Sequence, residues 1–145
     1  MFRKQRLPLL LWFRLARIYN KSNRMSSKYL SQWNLTVSQL DLLAQIGAHQ
    51  PIAQKDLAEK LFVTKGNITH SLRILENAGF VSRKQEWRTK YIQLTDKGER
   101  LYEEVVPKQE EKQAQIFSSL TKEEQKILLE LLKKVEKNQL NGSDL

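Results

Sequence analysis

The sequence predicts a mainly α fold, a winged helix-turn-helix with long apolar-faced helices at both ends. Three observations predict it. Five Gly and three Pro in 145 residues are too few for a loop-rich all-β fold. Apolar residues recur at three- and four-residue steps along most of the chain, the spacing of one helical face. That period gives way to a period of two only once, over 80–94, directly after a short helix, a tight turn and a second helix.

Each element has a local reason. Leu9, Trp12, Phe13, Ala16 and Tyr19 place residues 8–33 on one long helix, with Pro8 in the first turn, where a missing N–H costs nothing. Thr36 and Gln39 form a capping box, with Leu35 and Leu40 as its hydrophobic staple. The helix that follows turns Leu40, Leu43, Ala44 and Ile46 inward and stops near Gly47, before the break at Gln50 and Pro51. A short helix over 53–61 carries Leu57, Ala58 and Leu61 on one face. Phe62 and Val63 make a tight connection, and Thr64 caps a helix over 65–77 whose inner face is Ile68, Leu72 and Leu75. Gly79 ends that helix.

Phe80–Lys84 and Lys90–Leu94 then read as two short strands, with Gln85–Thr89 as a charged hairpin tip. Thr95 caps a helix to about Ser118, which Pro107 should kink. Thr121 and Glu124 form a second capping box, and Ile127, Leu128, Leu131, Leu132 and Val135 stripe the last helix. Residues 138–145 are polar and expected to fray.

Composition removes several function classes. There is no cysteine, hence no disulfide, thiolate metal site or thiol nucleophile, and a count of two histidines argues against a histidine-built metal centre. Gly-rich phosphate loops, His-Glu-x-x-His and Gly-x-Ser-x-Gly are absent, so no enzyme, cofactor or metal is expected. The apolar run Leu7–Phe13 is too short to span a membrane and lacks a cleavage pattern for export, which predicts a cytoplasmic protein.

The formal net charge is +9, and its distribution is uneven. Residues 1–40 carry eight basic side chains and no acid, 53–100 carry ten against six, and 101–145 seven against nine. A basic front two-thirds points to a polyanion. An anionic membrane surface would satisfy the first helix alone. A second basic region in the helix-turn-helix favours nucleic acid, with no membrane role.

The candidate contacts follow from groove chemistry. Thr64, Lys65, Gly66, Asn67, Thr69, His70 and Arg73 lie off the inner face of the 65–77 helix. Asn67 can pair with adenine in the major groove and Arg73 with guanine or phosphate, while Thr64, Lys65 and the helix N-terminus suit phosphate. The competing reading is an ordinary solvated face. Around the hairpin, Lys84, Arg88 and Lys90, with Arg83, suit a narrow minor groove, or else keep an exposed edge from aggregating. His70 reads as a DNA-facing or surface histidine rather than a pH or metal group. Trp12, Phe13, Tyr19 and Trp33, with Tyr29, could line an aromatic effector pocket, or serve only core and dimer packing.

Taken in order, Leu35, Thr36 and Gln39; Leu57, Ala58, Leu61, Val63, Thr64, Lys65, Ile68 and Thr69; Leu75, Glu76, Gly79, Phe80, Val81 and Arg83; and Leu94, Thr95, Lys97 and Gly98 resemble the multiple-antibiotic-resistance regulator (MarR) family over about residues 8–140. The resemblance implies a homodimeric repressor responsive to small aromatic or anionic ligands. Its fold would be mainly α, a winged helix-turn-helix with N- and C-terminal dimerisation helices. Family wings carry Asp-x-Arg before the second strand, where this chain has Glu86, Trp87 and Arg88 in a shorter wing.

The expected organisation is therefore an N-terminal dimerisation helix (1–34), a winged helix-turn-helix lobe (35–98) and C-terminal dimerisation helices (99–145). The expected partners are a second copy and double-stranded DNA with a pseudo-palindromic site. The alternative is a winged-helix protein-interaction module without specific DNA binding.

Overall fold

The computed structural model describes residues 6–61 and 65–142, of which 65, 66 and 140–142 are described as backbone only. The elements run α1 (Arg6–Leu30), α2 (Val37–His49), β1 (Ile52–Ala53), α3 (Gln54–Leu61), α4 (Lys65–Asn77), β2 (Val81–Glu86), β3 (Thr89–Leu94), α5 (Asp96–Gln115) and α6 (Lys122–Gly142). The chain divides into two compact units, 1–110 and 111–145. The tight connection at Phe62 and Val63 and the cap at Thr64 lie outside the described residues.

The core belongs to the first unit. Leu30, Leu43, Ile46, Leu57, Ile68, Leu72, Leu75, Ile92, Val105 and Val106 are buried in one cluster. Leu42 joins the α2 residues expected to turn inward, while Ala44 is only partly buried. The capping box at the start of α2 forms: Gln39 N–H donates to Thr36 Oγ1 (3.1 Å), and Thr36 N–H donates to Gln39 Oε1 (3.0 Å). Thr36→Ala should therefore cost about 1 kcal/mol, read as a lower urea midpoint with an unchanged slope.

Several boundaries differ from the sequence expectation, each for a physical reason. The first helix ends at Leu30, not 33, and Ser31–Trp33 form a 3-10 turn. Asn34 adopts a left-handed conformation (φ 55°), and Leu35 N–H returns to the Leu30 carbonyl (3.2 Å). α2 runs through Gly47 to His49. The missing Cβ at Gly47 leaves room for the Tyr102 ring of α5. The helix expected over 53–61 starts at Gln54 instead, because Ala53 joins Ile52 in a strand, Ile52 pairing with Ile92 and Ala53 with Tyr91. The sheet is antiparallel, in the order β1-β3-β2.

The hairpin ladder extends to Glu86↔Thr89, so its turn is only Trp87 and Arg88 rather than five residues. Trp87 closes it with a positive φ of 58°. Thr95 caps α5 as expected, accepting from Gly98 N–H (3.0 Å). Pro107 lies inside α5, which continues through it to Gln115 before a turn begins.

Gln50 joins three elements. Its Oε1 accepts from Leu94 N–H (2.8 Å) at the end of β3, and its Nε2 donates to Glu99 (2.8 Å) in α5. Buried Gln109 donates to Ser26 Oγ (2.6 Å), pinning α5 to the end of α1.

In the second unit, Thr121 and Glu124 form the expected capping box (3.2 and 2.9 Å). Of the residues 138–145 expected to fray, 138–142 are helical as the end of α6, and 143–145 lie outside the described residues. A groove of about 360 Å³ lies among Phe117, Leu128, Leu129 and Leu132. No helix among the described residues is long and apolar enough to cross a membrane.

Candidate nucleic-acid interface

The site is built on α4. Ile68, Leu72 and Leu75 are buried and lock the helix to the core. At about 100° per residue, His70 and Arg73 then point most directly away from that core, with Asn67 on one flank and Thr69 on the other. Asn67, His70 and Arg73 are exposed, as the sequence predicts. Thr69 is half-buried, and its Oγ1 accepts from Gln54 Nε2 (3.1 Å) at the start of α3. Lys65 and Gly66 form the first turn of α4, their side chains lying outside the described residues, as does all of Thr64.

The wing is braced to this helix. Arg83 Nε in β2 lies 2.8 Å from Glu76 Oε2 in α4, and Arg83 Nη1 donates to Gln54 Oε1 (3.4 Å). A connected path thus runs Thr69, Gln54, Arg83, Glu76. Both ends lie on α4, and the middle crosses α3 and β2. By sequence Arg83 is one of four basic residues around the hairpin, of which Lys84, Arg88 and Lys90 are the expected DNA contacts. The structure commits Arg83 inward, to holding the hairpin against α4. Lys84, Arg88 and Lys90 are exposed. Lys84 makes a loose surface pair with Glu86 (3.4 Å), worth little in water.

Beside α4 lies a cleft of about 300 Å³, lined by Ser38, Asp41, Leu42, Leu61, Asn67, His70 and Ser71. Desolvation at this cleft raises the Asp41 carboxyl above its ordinary pKa. No sequence spacing brings Asp41 to His70, because their neighbourhood comes from the packing of α2 on α4. No group of three His, Asp or Glu among the described residues could hold a metal ion.

The aromatic candidates are not brought together within one chain. Trp33 meets Tyr29 edge-on (centroids 5.1 Å apart) and donates through Nε1 to Glu104 (3.2 Å). Trp12, Phe13 and Tyr19 stand exposed on the outer part of α1. Trp12 and Leu30 lie about 27 Å apart at about 1.5 Å rise per residue. A single protomer therefore does not close a pocket around Trp12, Phe13, Tyr19 and Trp33.

The fold and this helix–hairpin arrangement can be set against known proteins. The family model described as "MarR family" matches residues 35–86, the span from the cap of α2 to the end of β2. The chain is 47% identical over 130 residues to an uncharacterized HTH-type transcriptional regulator of Bacillus cereus, covering 89% of this chain and 88% of that protein. This chain belongs to the MarR family. It is also 31% identical over 141 residues to the HTH-type transcriptional regulator PecS of Dickeya dadantii, covering 93% and 85%. Among solved structures, it superposes with a TM-score of 0.81 on S. aureus MepR in a complex with DNA, at 26% identity and covering 87% and 96%. The chain is accordingly a transcriptional regulator with the MarR winged-helix fold.

Proposed function

We propose that this MarR-family regulator is a homodimeric repressor that binds a pseudo-palindromic duplex in the cytoplasm. Two copies of α4 enter successive major grooves, and the wings reach the flanking minor grooves. The observation that carries this reading is the brace between Arg83, Glu76 and Gln54. It ties the basic hairpin to α4, so that the polar outer face of the helix and the hairpin are presented together, as simultaneous contact with two grooves requires. The DNA complex of MepR supports the same reading by fold similarity.

Residues 1–34 and 99–145 serve dimerisation in this proposal, and 35–98 bind DNA. The support is the exposed apolar side chains of α1 and of α6. A small aromatic or anionic ligand would act by binding the two possible spacings of the α4 pair with different affinity. Its aromatic contacts are assigned to Trp12, Phe13 and Tyr19, on the face of α1 that one protomer leaves open, with Trp33 standing apart.

Asn67, His70 and Arg73 are assigned to bases; Thr64, Lys65, Gly66 and Thr69 to phosphate and close backbone approach; and Lys84, Arg88 and Lys90 to the wing contacts. The test is a titration of variants against a duplex selected from a random pool and against random DNA, at several salt concentrations. Asn67→Ala and Arg73→Ala should each cost about 1–3 kcal/mol on the selected duplex and much less on random DNA. Lys65→Ala should weaken both alike and lower the salt slope by about one per protomer. Equal losses on both duplexes for Asn67→Ala and Arg73→Ala would remove α4 as the reading element. Absence of any salt-dependent DNA binding would favour a protein-docking module.

A further inference from the structure

Trp87 is the most exposed of the large apolar side chains described, 97% open to solvent, while the next reach only 68%. Two features of its position make that exposure informative. First, it sits in a two-residue turn with φ 58°, where asparagine or glycine is the usual occupant and a bulky side chain is strained. The free protein gains nothing from a tryptophan here, neither burial nor a favourable backbone. Second, the residues around it are basic. Lys84, Arg88 and Lys90 lie within three positions of it, against the single acid Glu86, which pairs with Lys84.

We propose that Trp87 is a DNA-contacting residue, its indole entering the minor groove edge-on at the wing tip beside Arg88. The inference rests on the DNA-binding reading above and adds a contact to it. The chemistry fits in three ways. The minor groove is a slot about 6 Å wide, which admits a planar ring edge-on but not flat. Its walls are deoxyribose C–H groups, an apolar surface flanked by phosphates, and so complementary to an indole flanked by Arg88 and Lys90. Apolar side chains of minor-groove proteins also wedge between base steps there. The tie from Arg83 to Glu76 gives the hairpin a fixed stance on α4. Burial of the indole is thus realised only when α4 is docked, and it adds affinity without adding charge.

That last property sets the experiment. Trp87→Asn removes the ring and suits the left-handed turn, so the fold should hold, with a melting temperature no lower than the wild type's. On a duplex selected from a random pool, Trp87→Asn should bind roughly ten-fold more weakly, near the low end of aromatic contacts with nucleic acid. Its salt slope should be unchanged. Arg88→Ala should instead lower the slope by about one per protomer. The fluorescence component lost in Trp87→Asn should also be shielded from acrylamide when wild-type protein binds the duplex. Wild-type affinity for Trp87→Asn, or an unshielded Trp87 in the complex, overturns this inference and leaves the DNA-binding reading intact. Shielding by phosphatidylglycerol vesicles but not by duplex overturns it in favour of a membrane contact. If the wild-type protein binds no duplex at all, the reading under it falls as well.

Discussion

Replacing Ile127 and Leu131 together by glutamate should turn the protein into a soluble 17.1 kDa monomer that has lost nearly all DNA affinity. Both side chains are more than half exposed on α6, so the protomer core does not depend on them. In the proposed dimer they are buried, and the double variant would remove four such side chains from the interface. At about 1.5 kcal/mol each, the loss is on the order of 6 kcal/mol, or about 10⁴ in the dimer dissociation constant. DNA binding follows because a second α4 held on the same duplex acts at high effective concentration, a gain of about 10²–10⁴ that a monomer forfeits. Sedimentation equilibrium measures the first effect and duplex titration the second. Ile127→Ala with Leu131→Ala should give a weaker dimer rather than none, separating lost burial from inserted charge. A double-glutamate variant that sediments as a dimer and binds DNA normally would show that α6 does not supply the interface.

The apolar stripes of α1 and α6 were legible because helical periodicity needs only the sequence, but periodicity does not say what covers a face. Leu9, Trp12, Phe13 and Tyr19 do lie on one helix, yet within the protomer they meet solvent. The caps at Thr36 and Thr121 were legible for the same local reason, each box closing within four residues. The exposed residues of α4 were legible because Ile68, Leu72 and Leu75 identify the opposite face. What escaped was whatever depends on contacts distant in sequence. β1 is two residues long, too short to show a period of two, and exists only through its pairing with β3. Arg83 looked like one more basic wing residue until Glu76 and Gln54 were placed beside it. The Asp41–His70 cleft needs α2 packed on α4. The two-residue turn was hidden by its own chemistry, since Trp87 and Arg88 carry no glycine or asparagine signal.

Gly98→Ala should be the most destabilising of the alanine replacements at Gly47, Gly79 and Gly98. A Cβ at Gly98 would fall well inside contact distance of the Phe80 carbonyl oxygen and 2.9 Å from its carbonyl carbon. Both partners are backbone, so no side chain can swing aside. Neither end is free to retreat. Phe80 O accepts from Thr95 N–H (3.0 Å), and Gly98 N–H donates to Thr95 Oγ1 (3.0 Å), the cap of α5. Relief therefore means moving the start of α5 off the wing loop and losing that cap. Overpacking of about 1–3 kcal/mol joins a cap loss of about 1 kcal/mol. A fall of about 10 °C in melting temperature follows for a chain of this size. Two other glycines calibrate the claim. At Gly79 a Cβ meets only the flexible Lys97 side chain, no closer than 3.7 Å, so Gly79→Ala should cost just the φ +83° strain, about 1–2 kcal/mol. At Gly47 the obstacle is the Tyr102 ring, a side chain that can rotate away at some loss of packing. Thermal unfolding should therefore rank Gly98→Ala as the least stable of the three. A Gly98→Ala protein that melts within a degree or two of the wild type would show that α5 can leave the wing loop at almost no cost. In that case the Thr95 cap does not hold the two together.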